Sequence, residues 1–190
     1  MDSKVILTDC DGVLLDWEYA FDIWMADKGY TPVENHKFYY KIDKRYNIDP
    51  EEKEQLVRTF NESAVIGFLP PQRDAMHYVR KLHQEHGYVF HVITSLSKNR
   101  YAQELRIKNL KKVFGDSVFD RFVFLDTGAD KHDALKEYQG TGCLWVEDSI
   151  KNVEVGIEYG LRGYLMEHGH NMHSDSAPRV KNWKELYDLI

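Results

Sequence analysis

The sequence predicts an α/β fold with a doubly wound parallel sheet of five strands. Short, nearly continuous apolar segments alternate with segments of helical periodicity, and acidic residues directly follow two of the apolar segments. Strands that are apolar on both sides are typical of a parallel sheet that helices cover on both faces. The five strands are expected near residues 4–8, 88–93, 121–125, 143–146 and 163–166.

Helices are expected in the connections between these strands. Apolar residues recur at helical spacing over residues 72–86 and 97–113, and again in the stretch that ends near Tyr159. A short helix is predicted to begin near Asp130, and a closing helix to cover residues 183–189. Because ligands of such sheets bind beyond the carboxyl ends of the strands, the residues at those ends are the candidates for a site.

A long segment after the first strand is predicted to form a small all-helical cap. It covers residues 16–69, far more than an ordinary connection, and contains three stretches of helical periodicity. Residues 1–15 and 70–190 then form the core domain. The cap is rich in aromatic residues, most of which are expected to pack against one another, with one or two lining a ligand pocket.

The composition limits the class of partner. In 190 residues, 31 acidic side chains outnumber 25 basic ones, which gives a formal net charge of −6. This balance argues against a nucleic-acid polymer or an anionic membrane as the main partner, but it leaves room for a small phosphorylated substrate. The composition is compatible with either a monomer or a homodimer.

The cysteines and the apolar segments indicate a cytoplasmic protein. The two cysteines, Cys10 and Cys143, fit no zinc-binding or redox spacing and lie in apolar segments, as is usual in a reducing compartment. No apolar stretch approaches the ~20 residues that a membrane-spanning helix needs. The beginning of the chain does not have the pattern of a signal peptide.

Two acidic residues stand at the end of the first predicted strand. Asp9 and Asp11 are two positions apart, so on extended backbone both carboxylates point to the same side. Gly12 allows a sharp turn directly after them. Taken alone, this segment is equally well explained as a solvated turn or as a pair of carboxylates that binds a cation.

Further polar residues follow the other strands. Thr94 and Ser95 end the second strand, and Lys131 stands at the beginning of the helix after the third. The fourth strand is followed by acidic residues and by an amide one helical turn on, namely Glu147, Asp148 and Asn152. Several carboxylates in one cleft require a cation, and Mg²⁺ is expected when a phosphate shares the site. The alternatives are that Lys131 reaches into water and that Asp148 or Ser149 only caps the next helix.

In four motifs the sequence resembles the haloacid dehalogenase superfamily. The matching residues are 9–14, Thr94, Lys131, and Glu147 and Asp148 with Asn152, in the order in which the family has them. The resemblance covers the whole chain and implies a Rossmann-like core with a cap inserted after the first motif. The fourth motif is similar to the phosphoglycolate phosphatase and phosphoglucomutase branch. The surroundings of Pro70 and of Phe114 are similar to those of small deoxyribonucleotidases.

The resemblance implies a Mg²⁺-dependent phosphatase that acts on a small phosphorylated metabolite. Asp9 would attack phosphorus and form an aspartyl-phosphate, while Asp11 would protonate the leaving oxygen and then activate water. Mg²⁺ would be held by Asp9, the backbone carbonyl of Asp11 and Asp148. Glu147 is an additional candidate ligand, and Asn152 would contact the ligands without binding the metal itself. The groups expected to bind the phosphoryl oxygens are Thr94, Ser95, Lys131 and the backbone amides near Asp11 and Gly12.

Several alternatives remain at this level. A 5′-(deoxy)nucleotidase is a narrower version, suggested by the aromatic cap, and a phosphomutase would use the same motifs. A non-catalytic binding or regulatory module on the same fold is the alternative of another class. Dehalogenation is rejected because Asp11 is present, whereas phosphonate cleavage would need a lysine from the cap. Three histidines after the fifth strand, His168, His170 and His173, could bind a transition metal, but a surface loop is favoured.

Overall fold

A computed structural model describes residues 4–190 and contains one parallel sheet of six strands. The strands are β1 Val5–Thr8, β2 Val89–Ser95, β3 Phe119–Leu125, β4 Leu144–Glu147, β5 Arg162–Met166 and β6 Arg179–Val180. Their order across the sheet is β3-β2-β1-β4-β5-β6. The prediction of a doubly wound, Rossmann-like α/β fold is confirmed. Residues 1–3 of the predicted core lie outside the described residues.

The predicted number of five strands is wrong. The sixth strand, β6, pairs with β5 at the edge of the sheet, with Leu165 opposite Arg179 and Met166 opposite Val180. Two residues are too few to show either an apolar run or an alternating pattern in the sequence. The backbone of β5 therefore gains its second partner from a segment without a strand signal.

Eight helices lie on the two faces of this sheet and in the segment after β1. They are α1 Trp17–Asp27, α2 Ile42–Tyr46, α3 Pro50–Asn61, α4 Ala75–His86, α5 Arg100–Phe114, α6 His132–Lys136, α7 Ile150–Glu158 and α8 Trp183–Asp188, the helices of residues 4–190. Short 3₁₀ turns cover His36–Phe38, Ala64–Gly67 and Gly169–Asn171. No helix in residues 4–190 has both the length and the apolar character to cross a membrane.

Strand β1 lies in the middle of the sheet and carries the site. It pairs with β2 on one side and with β4 on the other, and Ile6 is opposite both Phe90 and Leu144. The chain leaves β1 toward β2 and β3, but β4 returns on the opposite side, so the strand order reverses here. This reversal opens a crevice at the carboxyl ends of β1 and β4, where ligands of such sheets bind.

Aromatic side chains hold the segment between β1 and α4 together. Trp17 stacks on Phe21 with ring centroids 4.5 Å apart, and Phe60 from α3 meets both rings edge-on. Phe21 and Phe60 are fully buried. These aromatic side chains pack the helices together, as expected from the aromatic content, and they belong to the same hydrophobic cluster as Ile6 and Leu14. The division into a cap over residues 16–69 and a core remains a prediction.

Candidate active site

The turn after β1 brings the first two acids to the crevice. The backbone amides of Leu14 and Leu15 donate to the carbonyl of Cys10, at 2.8 Å and 2.9 Å, and close the turn. Gly12 has a φ of +74°, and a β-carbon there would lie 2.6 Å from Oδ2 of Asp148. The position therefore requires glycine for its backbone conformation and for the space that Asp148 occupies.

Lys131 connects the acids of β1 and β4. Its Nζ lies 2.8 Å from Oδ1 of Asp9 and 2.7 Å from Oε1 of Glu147, and the side chain is 1% exposed. Burial lowers the pKa of Lys131, but its attraction to Asp9 and Glu147 outweighs burial and raises the pKa overall. The lysine occupies the cap position of α6, one residue before the first helical residue. Its ammonium group therefore faces the acids, and the alternative of a solvent-exposed lysine is wrong.

Glu147 is held as a carboxylate by neutral and charged donors. Besides Lys131, the amide of Ser149 donates to its Oε2 at 2.6 Å, and Nδ2 of Asn152 donates to its Oε1 at 2.9 Å. The side chain is fully buried. Burial raises its pKa, but Lys131 and these hydrogen bonds prevail and lower it. These contacts favour the ionised form of Glu147, and Asn152 contacts it directly.

Burial and neighbouring carboxylates raise the pKa of the other two acids. Burial, together with Glu147 and Asp11, raises the pKa of Asp9 to about 7 against the opposing effect of Lys131. Burial, Glu147 and Asp9 also raise the pKa of Asp148 well above its usual range. In both residues burial is the largest cause, and the neighbouring carboxylates add to it more than Lys131 offsets.

The three carboxylates fit a divalent cation. One oxygen each of Asp9, Glu147 and Asp148 lies within 4.8 Å of the others. Carboxylate oxygens without sulfur or imidazole ligands favour a hard ion such as Mg²⁺. Such an ion would supply the positive charge that the raised pKa values of Asp9 and Asp148 indicate to be missing.

Asp11 is held by a residue that sequence reasoning missed. Nη1 of Arg106, in α5, donates to Oδ1 of Asp11 and also lies 2.9 Å from Sγ of Cys10. Arg106 is fully buried, whereas the side chain of Asp11 is 24% exposed and lines the cavity described below. Helical spacing could have revealed it, because Arg106 shares its face of α5 with buried Ala102 and Leu110.

The residues predicted to bind phosphate lie around the same crevice. Thr94 and Ser95 end β2 and line the cavity, and Thr94 is 1% exposed. The hydroxyl of Ser95 donates to the carbonyl of Ala129 at 2.7 Å, and the amide of Gly12 donates to the carbonyl of Leu15 at 2.9 Å. Both donors are thus engaged within the protein. Their binding of phosphoryl oxygens remains a prediction.

A cavity of about 1100 Å³ opens above these residues. Its floor comes from the core and includes Asp9, Asp11, Thr94, Ser95, Lys131 and Asp148. Its walls come from the helical segment after β1 and include Trp17, Tyr39, Tyr40, Lys41, Arg45, Lys53 and Arg58. Three of these wall residues are aromatic, namely Trp17, Tyr39 and Tyr40, whereas the sequence predicted one or two aromatic side chains in a ligand pocket.

The histidine loop after β5 contacts the site rather than only the solvent. Nε2 of His168 donates to the carbonyl of Gly12 at 2.7 Å, and Nε2 of His170 lies 3.2 Å from the carbonyl of Asp148. The buried amide of Asn171 donates to the same Asp148 carbonyl at 2.9 Å. The surface-loop interpretation is correct for exposed His173 and wrong for the first two histidines. His168 and His170 contact the loops after β1 and β4 through the backbone carbonyls of Gly12 and Asp148.

Structure comparison relates the fold to known hydrolases. A haloacid dehalogenase-like family hydrolase from Streptococcus pneumoniae superposes with a TM-score of 0.66 at 15% identity, covering 99% of this chain and 98% of that one. CbbY from Rhodobacter sphaeroides, solved in complex with phosphate, superposes with a TM-score of 0.60 at 18% identity, covering 97% and 96%. At these identities the likeness shows the fold.

Sequence comparison gives a narrower result. The chain is 29% identical over 199 residues to an uncharacterized 32.4 kDa protein in the Gp30-rIII intergenic region of Enterobacteria phage T4, covering 99% of this chain and 70% of that protein. The model of the family described as 5′ nucleotidase, deoxy (Pyrimidine), cytosolic type C protein matches residues 3–190. The chain therefore belongs to this cytosolic type C nucleotidase family, whose members are phosphoric monoester hydrolases of the haloacid dehalogenase superfamily.

Proposed function

We propose that this chain is a magnesium-dependent 5′-nucleotidase that forms an aspartyl-phosphate on Asp9. The observation that carries the proposal is the contact of Lys131 with both Asp9 and Glu147 at the floor of the cavity. An anionic nucleophile can approach an anionic phosphate only where positive charge compensates both of them. The contact supports such an arrangement at Asp9.

In the first step, a carboxylate oxygen of Asp9 attacks the phosphorus atom of the substrate. A bond between Asp9 and phosphorus forms while the bond from phosphorus to the ester oxygen breaks. Asp11 gives its proton to that oxygen, which leaves as the hydroxyl group of a nucleoside. In the second step, Asp11 takes a proton from water and the water oxygen attacks phosphorus. The bond between phosphorus and Asp9 breaks, which releases inorganic phosphate and leaves Asp9 as a free carboxylate.

The remaining site residues would hold the metal and the phosphoryl group. Asp9, Asp148 and the backbone carbonyl of Asp11 would hold Mg²⁺, with Glu147 as a further candidate ligand. When bound, Mg²⁺ supplies positive charge next to the phosphoryl oxygens. The groups proposed to bind those oxygens are Thr94, Ser95, Lys131 and the amides near Asp11 and Gly12. Ser95 and the amide of Gly12 would have to exchange their present partners, the carbonyls of Ala129 and Leu15, for the phosphoryl group.

The substrate class rests on the family and on the cavity. The family description names a 5′ nucleotidase, deoxy (Pyrimidine), which favours a nucleoside monophosphate over a sugar phosphate. The cavity of about 1100 Å³ has room for a nucleotide, and Trp17, Tyr39 and Tyr40 in its walls offer surfaces for a base. The phosphomutase alternative has no such support, and a cytoplasmic location remains a prediction.

The test is a measurement of phosphate release by the native chain and by Asp9→Asn. The substrate panel contains deoxynucleoside 5′-monophosphates, ribonucleoside 5′-monophosphates and sugar phosphates, each with Mg²⁺. We expect the highest kcat/KM with the deoxynucleotides and no turnover by Asp9→Asn, whose fold is checked by circular dichroism. Equal activity of the two proteins would overturn the mechanism. A preference for sugar phosphates would overturn the substrate class alone.

A further inference from the structure

Arg106 is a buried arginine beneath the catalytic loop. Its side chain is fully buried, and its Nη1 donates to Oδ1 of Asp11 and to Sγ of Cys10. Within residues 4–190, Asp11 is its single ion-pair partner. Burial raises the pKa of Cys10 to about 12, so the thiol stays neutral and Asp11 is the one carboxyl group that Nη1 contacts among the described residues.

Two further nitrogens of Arg106 are left without partners. Nε and Nη2 are buried and form no hydrogen bond with any described residue. Buried guanidinium groups are usually bound on several sides, because each unpaired donor costs free energy. Arg106 therefore lies where only one of its three nitrogens forms hydrogen bonds. It places one donor, Nη1, against Asp11.

The other cation at the site does not hold Asp11. Nζ of Lys131 lies within 2.8 Å of Asp9 and of Glu147, and no ion pair between Lys131 and Asp11 occurs in the described residues. Arg106 binds Oδ1 of Asp11, and Oδ2 has no hydrogen-bond partner among those residues. The carboxyl group thus has one oxygen anchored in the core, while its side chain lines the cavity.

We infer that Arg106 is the positioning residue of Asp11 in the leaving-group step. The inference rests on the proposed function, in which Asp11 gives its proton to the ester oxygen as the bond to phosphorus breaks. Arginine is suited to this role because its planar guanidinium is rigid and always charged. Anchoring Oδ1 keeps the carboxyl group in one orientation, so that Oδ2 can reach the leaving oxygen.

The inference predicts a dependence on the leaving group. A nucleoside hydroxyl is a poor leaving group and needs the proton from Asp11, whereas p-nitrophenolate leaves without one. Loss of the contact between Arg106 and Asp11 should therefore slow hydrolysis of a deoxynucleoside 5′-monophosphate much more than hydrolysis of p-nitrophenyl phosphate. A purely structural role of Arg106 would reduce both rates by the same factor.

The experiment compares kcat/KM of the native chain and Arg106→Met for these two substrates with Mg²⁺. We expect the value for the nucleotide to fall about 10- to 100-fold and the value for p-nitrophenyl phosphate about 3-fold or less. Asp11→Asn should show the same selectivity, and adding Arg106→Met to it should change the ratio little. Arg106→Lys retains a charged donor and should recover part of the nucleotide rate. If Arg106→Met does not fold, the selectivity is measured on Arg106→Lys, which should show a smaller loss of the same kind.

Asn109→Ala is the matched control. Asn109 lies one helical turn further along α5, is 3% exposed and donates to the carbonyl of Leu69, away from the cavity. Its replacement should lower the melting temperature and leave the ratio of the two kcat/KM values unchanged. Equal losses for both substrates in the Arg106 variants, or no loss, would overturn the inference while the native activity upholds the proposed function. A native chain that hydrolyses neither substrate would overturn both.

Discussion

A β-carbon on Gly12 would lie 2.6 Å from Oδ2 of Asp148, so the loops after β1 and β4 are in contact at the site itself. Gly12→Ala should therefore do more than strain the backbone at a φ of +74°. It should push the Asp148 carboxylate away from Asp9. We expect a loss of about 1–2 kcal/mol in unfolding free energy from the conformation and at least about a tenfold weaker Mg²⁺ affinity.

Gly87→Ala is the control for this prediction. Gly87 ends α4 with a φ of +70°, and a β-carbon there would meet no atom within 4 Å. The variant should lose a similar amount of stability by urea denaturation but keep its Mg²⁺ affinity by calorimetry. If both variants bind Mg²⁺ like the native chain, the contact with Asp148 is irrelevant to the site.

Removing the buried cation should be among the most damaging single changes. Lys131→Met leaves the buried carboxylates of Asp9 and Glu147 without their common partner. We expect a loss of about 3–5 kcal/mol in unfolding free energy at neutral pH, and a fall in kcat of at least about 100-fold. Urea denaturation and steady-state kinetics measure the two effects.

Lys184→Met provides the comparison. Lys184 forms an exposed i,i+4 ion pair with Asp188 and is not among the residues that line the cavity. Its loss should leave both the unfolding free energy and kcat nearly unchanged, because an exposed ion pair contributes little. A Lys131→Met variant as stable and active as Lys184→Met would show that the buried ammonium group is dispensable.

The sequence was sufficient to predict which acids meet, because parallel strands deliver their carboxyl ends to one edge of a sheet. Asp9 and Asp148 follow two strands that turn out to be neighbours, and the unfavourable position of Lys131 before a helix indicated a partner. The contact between Arg106 and Asp11 joins residues that are 95 positions apart. Helical spacing places Arg106 on the buried face of α5, but no local pattern indicates that its partner is Asp11.

The directions of loop side chains were also beyond sequence reasoning. His168 and His170 follow β5 in a segment without periodicity, so nothing in the sequence indicates that they point toward Gly12 and Asp148. The edge strand β6 was missed for a related reason, because its two residues pair only through the position of β5. In both cases tertiary packing decides the local structure.

The contact of His168 with Gly12 predicts a pH dependence of stability. Burial lowers the pKa of His168 to about 4, whereas an unfolded histidine has an ordinary value of 6.5. Between these values the unfolded chain binds more protons than the folded chain, so acidification favours unfolding. The contribution of His168 is fully present above about pH 6.5 and decreases as the pH falls toward 4, by at most about 3 kcal/mol.

The measurement is the unfolding free energy of the native chain and of His168→Gln between pH 7.5 and pH 4, with EDTA present. Glutamine can still donate to the Gly12 carbonyl but does not titrate. We expect the stability of the native chain to fall more steeply than that of the variant below pH 6.5. Parallel curves would contradict the shifted pKa of His168.

Metal removal should abolish activity and lower stability together. Dialysis against EDTA should eliminate phosphate release, and added Mg²⁺ should restore it. Because the ion would bind the folded chain through Asp9 and Asp148, Mg²⁺ at 100 times its Kd should raise the unfolding free energy by about 2.7 kcal/mol. Phosphate release that survives EDTA, or a stability that does not respond to Mg²⁺, would contradict a metal site at these acids.

Replacing one of the proposed metal ligands should separate metal binding from stability. Asp148→Asn removes a charged ligand and should weaken Mg²⁺ affinity at least about tenfold by calorimetry. In the absence of metal the same variant should be more stable than the native chain, because a neutral amide removes a negative charge that burial and the neighbouring Glu147 and Asp9 disfavour, as the raised pKa of Asp148 indicates. Asp116→Asn, in an exposed turn before β3, should change neither quantity. If Asp148→Asn instead destabilises the metal-free chain, the carboxylate serves the fold rather than a cation.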